Sequence, residues 1–341
     1  MDDVAQSLFY SDDPESLGAA VIEGVLFDFD VVDAVPQRFL FYHYLPTGTG
    51  RYIALRALNL SNAATVLEWR GSIPTPSSSI TNCGHHATAG FLAALDRGLW
   101  TNALPLGGNA QAAVFYQLLA AGDLFNGICE FRVTSGGPVK LSLVVVRDRS
   151  RIATVASSGG GLGSDSFGRI GKFDISKRAP IACTFTAGGA PVLASRLGQA
   201  QLPNLDTTRS TQPFKGEYAM VTLIDAQLTN NSGVAVDVAL YESAHGGPST
   251  ASYLIDGAQV ESGLMACKIP PPSGYIIPRY KVSVYHLAPG STTRTQIYTI
   301  PDNASSSPVV LTFDASDSSP NPGMSGGIIQ INPIPSPSRV T

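Results

Sequence analysis

The chain has 341 residues, enough for two domains of ordinary size. Charged residues make up 14% of it, against about 25% in an average soluble domain, and the formal net charge is -4. This weak negative charge argues against nucleic acid as a partner, because phosphates attract basic surfaces. The 44% share of apolar residues excludes a disordered chain, while 34 Gly and 24 Pro indicate many turns.

Runs in which apolar and polar residues alternate recur through the first half of the chain. A period of two is typical of strands that bury one face. The predicted strands span 21–29, 38–44, 51–60, 63–69, 112–119, 129–134 and 139–146. Turn sequences rich in Gly, Pro and Asn separate them, so the pattern predicts an antiparallel β-sandwich.

One helix is predicted over residues 86–97 of this half. Ala87, Phe91 and Leu95 are spaced four apart and form an apolar stripe, and Gly98 supplies a C-terminal stop. We expect this helix to cover an end or an open edge of the first sandwich, because bare strand edges are a liability.

The second half continues the strand pattern after a segment at 157–168, SSGGGLGSDSFG, that is typical of a flexible linker. Its predicted strands span 218–229, 234–241, 252–255, 280–287, 293–300 and 309–313. The predicted class is therefore all-β, with two tandem antiparallel sandwiches (Ig-like or jelly-roll-like) and one inserted helix. The predicted limits are 1–150 for the first sandwich, 151–212 for linker and connecting strands, 213–314 for the second sandwich and 315–341 for a tail rich in Pro, Ser and Gly.

A weak internal repeat accompanies these two halves. Residues 57–69 read ALNLSNAATVLEW and residues 227–241 read QLTNNSGVAVDVALY. Both combine a strand, a turn with Asn and Ser, and a second strand that ends in an aromatic residue. Duplication explains this, and so does convergent turn chemistry, because Asn, Ser and Gly favour turns in any protein.

The cysteines and the N-terminus bear on the compartment. Cys83, Cys129, Cys183 and Cys267 contain no C-x-x-C pair, so they fit either two disulfides or small buried side chains. The acidic start at Met1 predicts no secretory signal, and no apolar run is long enough to span a membrane. The weakly charged composition nevertheless resembles that of exported proteins, which predicts an extracellular or cell-envelope location.

Few residues suggest chemistry. Ser325 lies in Gly-Met-Ser-Gly-Gly, which matches the serine motif of hydrolases, but flanking prolines leave no helix for a nucleophile elbow. His85 and His86 at the expected helix start, with His43, are the candidate metal ligands, although adjacent histidines point about 100° apart and lack ligand spacing. We expect the helix N-terminus to lower their pKa. No catalytic residue, cofactor or bound metal is predicted.

Aromatic and acidic side chains offer a second kind of site. A sugar-stacking face is an alternative for five aromatic residues, Tyr42, Tyr44, Trp69, Trp100 and Tyr241, although aromatic residues in sandwich strands more often form the core. Asp28 and Asp30 alternate with phenylalanines and are predicted on the solvent face of their strand.

Several short segments resemble an uncharacterised family of exported bacterial proteins that includes a cyanobacterial domain of unknown function. The segments are GVLF at 24–27, RFLFYH at 38–43, LNLSN at 58–62, GHHATAGFL at 84–92, VTSGGPVKLSLVV at 133–145, VALYE at 238–242 and LIDG at 254–257. The resemblance implies an exported β-sandwich protein and assigns no activity.

These observations predict a non-enzymatic structural or binding protein of the cell envelope, surface or surroundings. A carbohydrate-binding or carbohydrate-active protein is the alternative, followed by a self-assembling shell subunit and a serine hydrolase that uses Ser325. Expected partners are a protein or glycan of the cell surface, and self-association is left open. Nucleic acid is not an expected partner.

Overall fold

The computed structural model describes residues 3–13, 15–17, 23–156, 169–176, 179–199, 201–245, 248–265, 279–302 and 308–315. These residues form mostly strands, with one α-helix and one 3₁₀ turn, so the predicted all-β class is confirmed. The described helices fall short of the length and apolar content that crossing a bilayer requires. The predicted linker at 157–168 lies outside the described residues, as does the tail from 316 onward.

The elements follow one another with few interruptions. The first are β1 (Ser7–Ser11), β2 (Gly24–Val31), β3 (Gln37–Tyr44), β4 (Arg51–Asn59), β5 (Thr65–Ser72), α1 (Ile80–Arg97), β6 (Asn102–Leu106), β7 (Gln111–Leu119), β8 (Leu124–Ser135), β9 (Val139–Val146), the 3₁₀ turn (Arg149–Arg151) and β10 (Ile170–Asp174). The rest are β11 (Ile181–Thr186), β12 (Val192–Leu197), β13 (Gln201–Leu202), β14 (Phe214–Lys215), β15 (Thr222–Thr229), β16 (Val236–Ala244), β17 (Ala251–Ile255), β18 (Ala258–Glu261), β19 (Arg279–Leu287), β20 (Thr292–Pro301) and β21 (Val309–Asp314).

The chain divides into two compact units that interleave in sequence. Unit 1 comprises Met1–Ala179, Gly198–Val221 and Asp302–Ala304, and unit 2 comprises Pro180–Leu197, Thr222–Pro301 and Ser305–Thr341. In unit 1 a sheet of order β10-β1-β3-β8-β5-β6 shares one apolar core with a sheet of order β2-β9-β4-β7. In unit 2 the sheets β11-β15-β20-β17-β18 and β12-β21-β16-β19 do the same. The predicted domain limits remain a prediction.

The two units repeat one strand arrangement. The antiparallel pairs β3–β8, β8–β5, β5–β6 and β4–β7 of unit 1 correspond in order to β12–β21, β21–β16, β16–β19 and β15–β20 of unit 2. In both units the chain then passes from one sheet to the other at the same step, from β4 to β5 and from β15 to β16. The insertions differ, because α1 follows β5 whereas the β17–β18 hairpin follows β16.

In unit 1 a buried asparagine stabilises the point at which the chain passes from one sheet to the other. Asn59 ends β4 and is 1% exposed. Its Nδ2 donates to the carbonyl oxygen of Ala63 at 2.7 Å and to that of Gly107 at 2.8 Å. Its Oδ1 accepts a hydrogen bond from the Ser61 backbone N–H at 2.9 Å. One side chain therefore satisfies backbone groups of two turns that would otherwise be left unpaired.

Asn230 does the same in unit 2, where it is fully buried. Its Nδ2 donates to the carbonyl oxygens of Val234 at 2.8 Å and Ala288 at 3.1 Å, and its Oδ1 accepts from the Ser232 N–H at 3.0 Å. The two turns therefore share the surrounding strand pairings as well as the residue types.

Helix α1 begins at Ile80, six residues before the predicted start at 86. Thr81, Asn82 and Gly84 have weak helix propensity, and they hid this first part from the sequence pattern. Tertiary packing overrides that weakness, because the buried stripe on the helix extends back to Cys83. The predicted C-terminus is confirmed, since Gly98 caps the helix in the left-handed conformation with φ 63°.

A buried ionic cluster lies in unit 1 beside the apolar face of α1. Glu130 on β8 accepts from Arg38 Nη2 at 2.6 Å and from Arg70 Nε at 2.8 Å. All three side chains are at most 1% exposed. The Arg38 guanidinium also lies 4.8 Å from the centre of the Phe91 ring on the helix. We call these three charged residues the Arg38–Glu130–Arg70 cluster.

Candidate functional site

An open side lies between the edge strands of the two sheets in unit 1. β2 is the edge of the four-stranded sheet, and β10 is the edge of the six-stranded sheet beside β1. Segment 204–210 bonds to both strands, because Leu205 N donates to Lys172 O at 2.7 Å and Arg209 Nη2 donates to Asp28 O at 2.9 Å. A cleft of about 430 Å³ remains on this side.

Stacked phenylalanines form the floor of the cleft. Phe9 and Phe29 lie with ring centroids 4.3 Å apart and an interplanar angle of 19°. Both rings are largely buried, at 7% and 6% exposed. Alternation along β2 explains the arrangement, since Phe27 and Phe29 point inward while Asp28 and Asp30 point toward the cleft mouth and solvent.

A charged rim surrounds this floor. Arg209 Nε donates to Asp206 Oδ2 at 2.8 Å, and its Nη2 donates to Asp28 Oδ1. Its guanidinium also lies 4.2 Å from the centre of the Phe27 ring. Lys172 brings a second cation, with its ammonium 5.4 Å from the Phe9 ring centre. In this rim Asp28 and Asp206 are held in place by their bonds to Arg209, and Asp30 and Lys172 add an acceptor and a donor.

Apolar and uncharged groups complete the lining. Val32 and Leu205 project at the mouth, 57% and 54% exposed. Gln37 and Asp30 add an amide and an exposed carboxylate. A concave site with an apolar floor and a few polar groups suits a small ligand that has an apolar face and several hydrogen-bonding groups.

The structure places His43 in a buried pair rather than at this cleft. Its Nε2 lies 3.0 Å from Ser11 Oγ, and both side chains are fully buried. A serine beside a histidine is the arrangement of an activated nucleophile. A substrate has no access to fully buried atoms, so the geometry favours a structural role. Sequence reasoning missed Ser11, because the pair depends on the parallel register of β1 and β3.

His85 and His86 lie inside α1 and not at its start. His85 Nδ1 is 2.5 Å from Asp302 Oδ2, and both side chains are buried. The pKa of His86 is lowered by burial and by the neighbouring His85. The predicted direction of this shift is therefore confirmed for His86, but the predicted cause, the helix N-terminus, was wrong. Within the described ranges no three His, Cys, Asp or Glu side chains gather as metal ligands.

The structure describes three of the four cysteines and does not describe the serine of the hydrolase-like motif. Cys83, Cys129 and Cys183 are buried free thiols, and burial raises the pKa of Cys83 to about 12. Cys267 and Ser325 lie outside the described residues.

None of the five predicted sugar-stacking aromatics, Tyr42, Tyr44, Trp69, Trp100 and Tyr241, is exposed. Tyr241 is 1% exposed, Trp69 packs against the core of unit 1, and the Trp100 ring lies 4.1 Å from the Arg132 guanidinium. Sequence reasoning missed the cleft itself, although the alternation from Phe27 to Asp30 was the signal that could have indicated it.

A buried carboxyl beside β1 makes stability depend on pH. Burial raises the pKa of Asp12 to about 8, although Tyr10 and Arg169 oppose the shift, and Tyr10 donates to its Oδ2 at 2.8 Å. Folding thus takes up a proton between about pH 4 and pH 8, so the free energy of unfolding falls as the pH rises through this window. We expect Asp12→Asn to raise that free energy by about 2 kcal/mol at pH 7 and to flatten its pH dependence.

Urea unfolding at pH 5, 6, 7 and 8 measures this effect, with Asp96→Asn on the exposed end of α1 as the control. Parallel pH profiles for the Asp12→Asn variant and the unchanged chain would contradict the expectation.

Comparisons with known proteins give distant likenesses. No family model matches the chain, and no curated protein matches it. Among solved structures, the PBSX exported protein XepA aligns at 9% identity over 86% of each chain, with a TM-score of 0.18. A multicopper oxidase from Campylobacter jejuni aligns at 8% identity over 78% of this chain and 48% of its own chain, with a TM-score of 0.12. The multicopper oxidase Fet3p aligns at 8% identity over 77% of this chain and 50% of its own chain, also with a TM-score of 0.12.

Proposed function

We propose that the chain is a non-enzymatic binding protein of the cell envelope or extracellular space, and that the cleft of unit 1 is its ligand site. The observation that carries the proposal is the cleft itself, where a stacked Phe9–Phe29 floor meets a rim of charged residues. The Ser11–His43 pair is sealed from substrates, which favours binding over nucleophilic catalysis. The weakly charged composition, rich in Gly and Pro, supports an exported location.

Carbohydrate is the ligand class that this lining fits best. Sugar rings combine an apolar C–H face, which packs on aromatic carbons, with hydroxyl groups that both donate and accept hydrogen bonds. Cleavage is less well supported, because glycosidases need two carboxyl groups in separate roles. Here Asp28 and Asp206 are both bonded to the guanidinium of Arg209.

Binding to a glycan microarray tests this function. Asp30 and Lys172 line the cleft and are not part of the buried core, so an Asp30→Ala/Lys172→Met variant should fold normally. Losing two hydrogen-bonding groups should weaken glycan binding by at least about tenfold. Asp96→Ala, which removes an exposed charge on α1, should bind like the unchanged chain. Glycan binding that survives the double substitution would contradict the assignment of the site.

A further inference from the structure

Among the residues that the structure describes, strand β7 leaves one long edge of unit 1 open. It spans Gln111–Leu119 and pairs with β4 on one side, and it is the outermost strand of its sheet. Its nine residues, QAAVFYQLL, include no charged residue and no proline. An edge of this kind presents unpaired backbone N–H and C=O groups that another strand can bind.

The other three edges of the two large sheets of unit 1 carry protective features. β6 contains Pro105, which lacks a backbone donor. β10 contains Lys172, whose carbonyl oxygen already accepts from Leu205 N. β2 carries Asp28 and Asp30, and the carbonyl oxygen of Asp28 accepts from a guanidinium. Charges, proline, covering segments and bulges are among the means by which sheet proteins avoid edge pairing. In the described part of the chain β7 carries only a bulge, so it differs from these three edges.

A bulge divides β7 and fixes which side chains share a face. Leu55 of β4 lies opposite Phe115 and the next residue of β4 lies opposite Ala113, so Val114 is the extra residue. Beyond the bulge, Phe115 packs against the main core of unit 1, as does Leu119.

Two residues of this last part of β7 lie on the outer face of the sheet. Tyr116 packs against a smaller cluster on that face, and Leu118, two residues further along, is 54% exposed. The exposed fraction of Leu118 is large for an apolar side chain in a strand, so this face has apolar surface to bury.

We propose that two copies of this chain associate by antiparallel pairing of β7 with β7. In the register centred on Gln117, Leu118 of each copy lies opposite Tyr116 of the other on the outer face, and Phe115 lies opposite Leu119 on the inner face. Between residues 115 and 119 every opposed pair is uncharged, and only the central Gln117 pair is an amide pair. The Arg149 guanidinium, 4.1 Å from the centre of the Tyr116 ring, adds a cation to the outer face. An isologous contact of this type closes at two copies, because each edge is used once.

Sedimentation velocity of the purified full chain between about 1 and 100 µM tests the association. We expect a dimer whose fraction rises with protein concentration. We expect Leu118→Lys to raise the dissociation constant of this dimer by at least about tenfold, because the substitution places charges on an edge that must lose water on pairing. Leu193→Lys is the matched control, since Leu193 is 49% exposed on β12 of unit 2. A monomer throughout this range, or a dimer that Leu118→Lys leaves intact, would overturn the proposal.

Disulfide trapping tests the register. Residues directly opposite in an antiparallel pair have Cα atoms about 5 Å apart, within the range that a disulfide spans. Gln117→Cys should therefore give a covalent dimer under mild oxidation, whereas Ala113→Cys, exposed before the bulge, should not. Equal trapping of both variants would show random collision and would refute the register.

Discussion

Replacing Glu130 by Gln is expected to lower the free energy of unfolding by about 3–5 kcal/mol. Glu130 holds Arg38 and Arg70, and all three side chains are at most 1% exposed. Gln has nearly the same shape but no charge, so the two guanidinium groups would remain buried with less compensation. Burial lowers the pKa of Arg38, but Asp3 and Glu130 raise it by more, so this cation stays charged and keeps its need for a carboxylate.

A neighbouring ion pair on two of the three strands that carry this cluster, β5 and β8, provides the control for this substitution. Glu68 on β5 pairs with Arg132 on β8, and the side chains are 23% and 30% exposed. Because solvent screens this pair, Glu68→Gln should cost about 1 kcal/mol or less. Chemical unfolding of both variants measures the difference. Equal losses for Glu130→Gln and Glu68→Gln would show that the buried cluster has no special role.

Replacing Asn59 or Asn230 by alanine should lower the free energy of unfolding by about 3 kcal/mol in each case. Each asparagine bonds the backbone of two turns where the chain changes sheets, and alanine would leave buried carbonyl oxygens without donors. Similar losses at the two positions would show that both units depend on the same device.

Asn231→Ala is the matched control for these variants, because Asn231 adjoins Asn230 and is exposed. It should change the free energy of unfolding by less than about 0.5 kcal/mol. Thermal and urea unfolding of the three variants measures the effects. A loss at Asn59 without a comparable loss at Asn230 would contradict the equivalence of the two turns.

The sequence predicted the fold well because strand formation leaves a local signal. Alternation from Phe27 to Asp30 and from Val236 to Leu240 reports burial of one face, and this pattern needs no knowledge of the partner strand. Val25 departs from it, because a bulge between Val25 and Phe27 turns its side chain to the outer cluster. The start of α1 was predicted too late, because Thr81, Asn82 and Gly84 hold helical conformation through packing and not through propensity.

The site was harder to predict because its residues come from distant parts of the chain. Phe9, Asp28, Lys172 and Asp206 meet only after β1, β2 and β10 and segment 204–210 have packed. The same holds for the contact of His85 with Asp302, which lies 217 residues away. No spacing rule links such positions. The sequence therefore indicated the histidines by residue type alone and did not indicate which residues they contact.

Methyl NMR of the full chain tests most directly whether the cleft of unit 1 is the ligand site. Val32 and Leu205 project at its mouth, whereas Leu193 and Val234 are exposed in unit 2 and serve as internal controls. We expect titration with soluble hexose, N-acetylhexosamine and uronic acid sugars to shift the Val32 and Leu205 methyl signals while the two control signals stay in place. Shifts confined to the control residues, or no shift at any of the four with every sugar, would contradict the account.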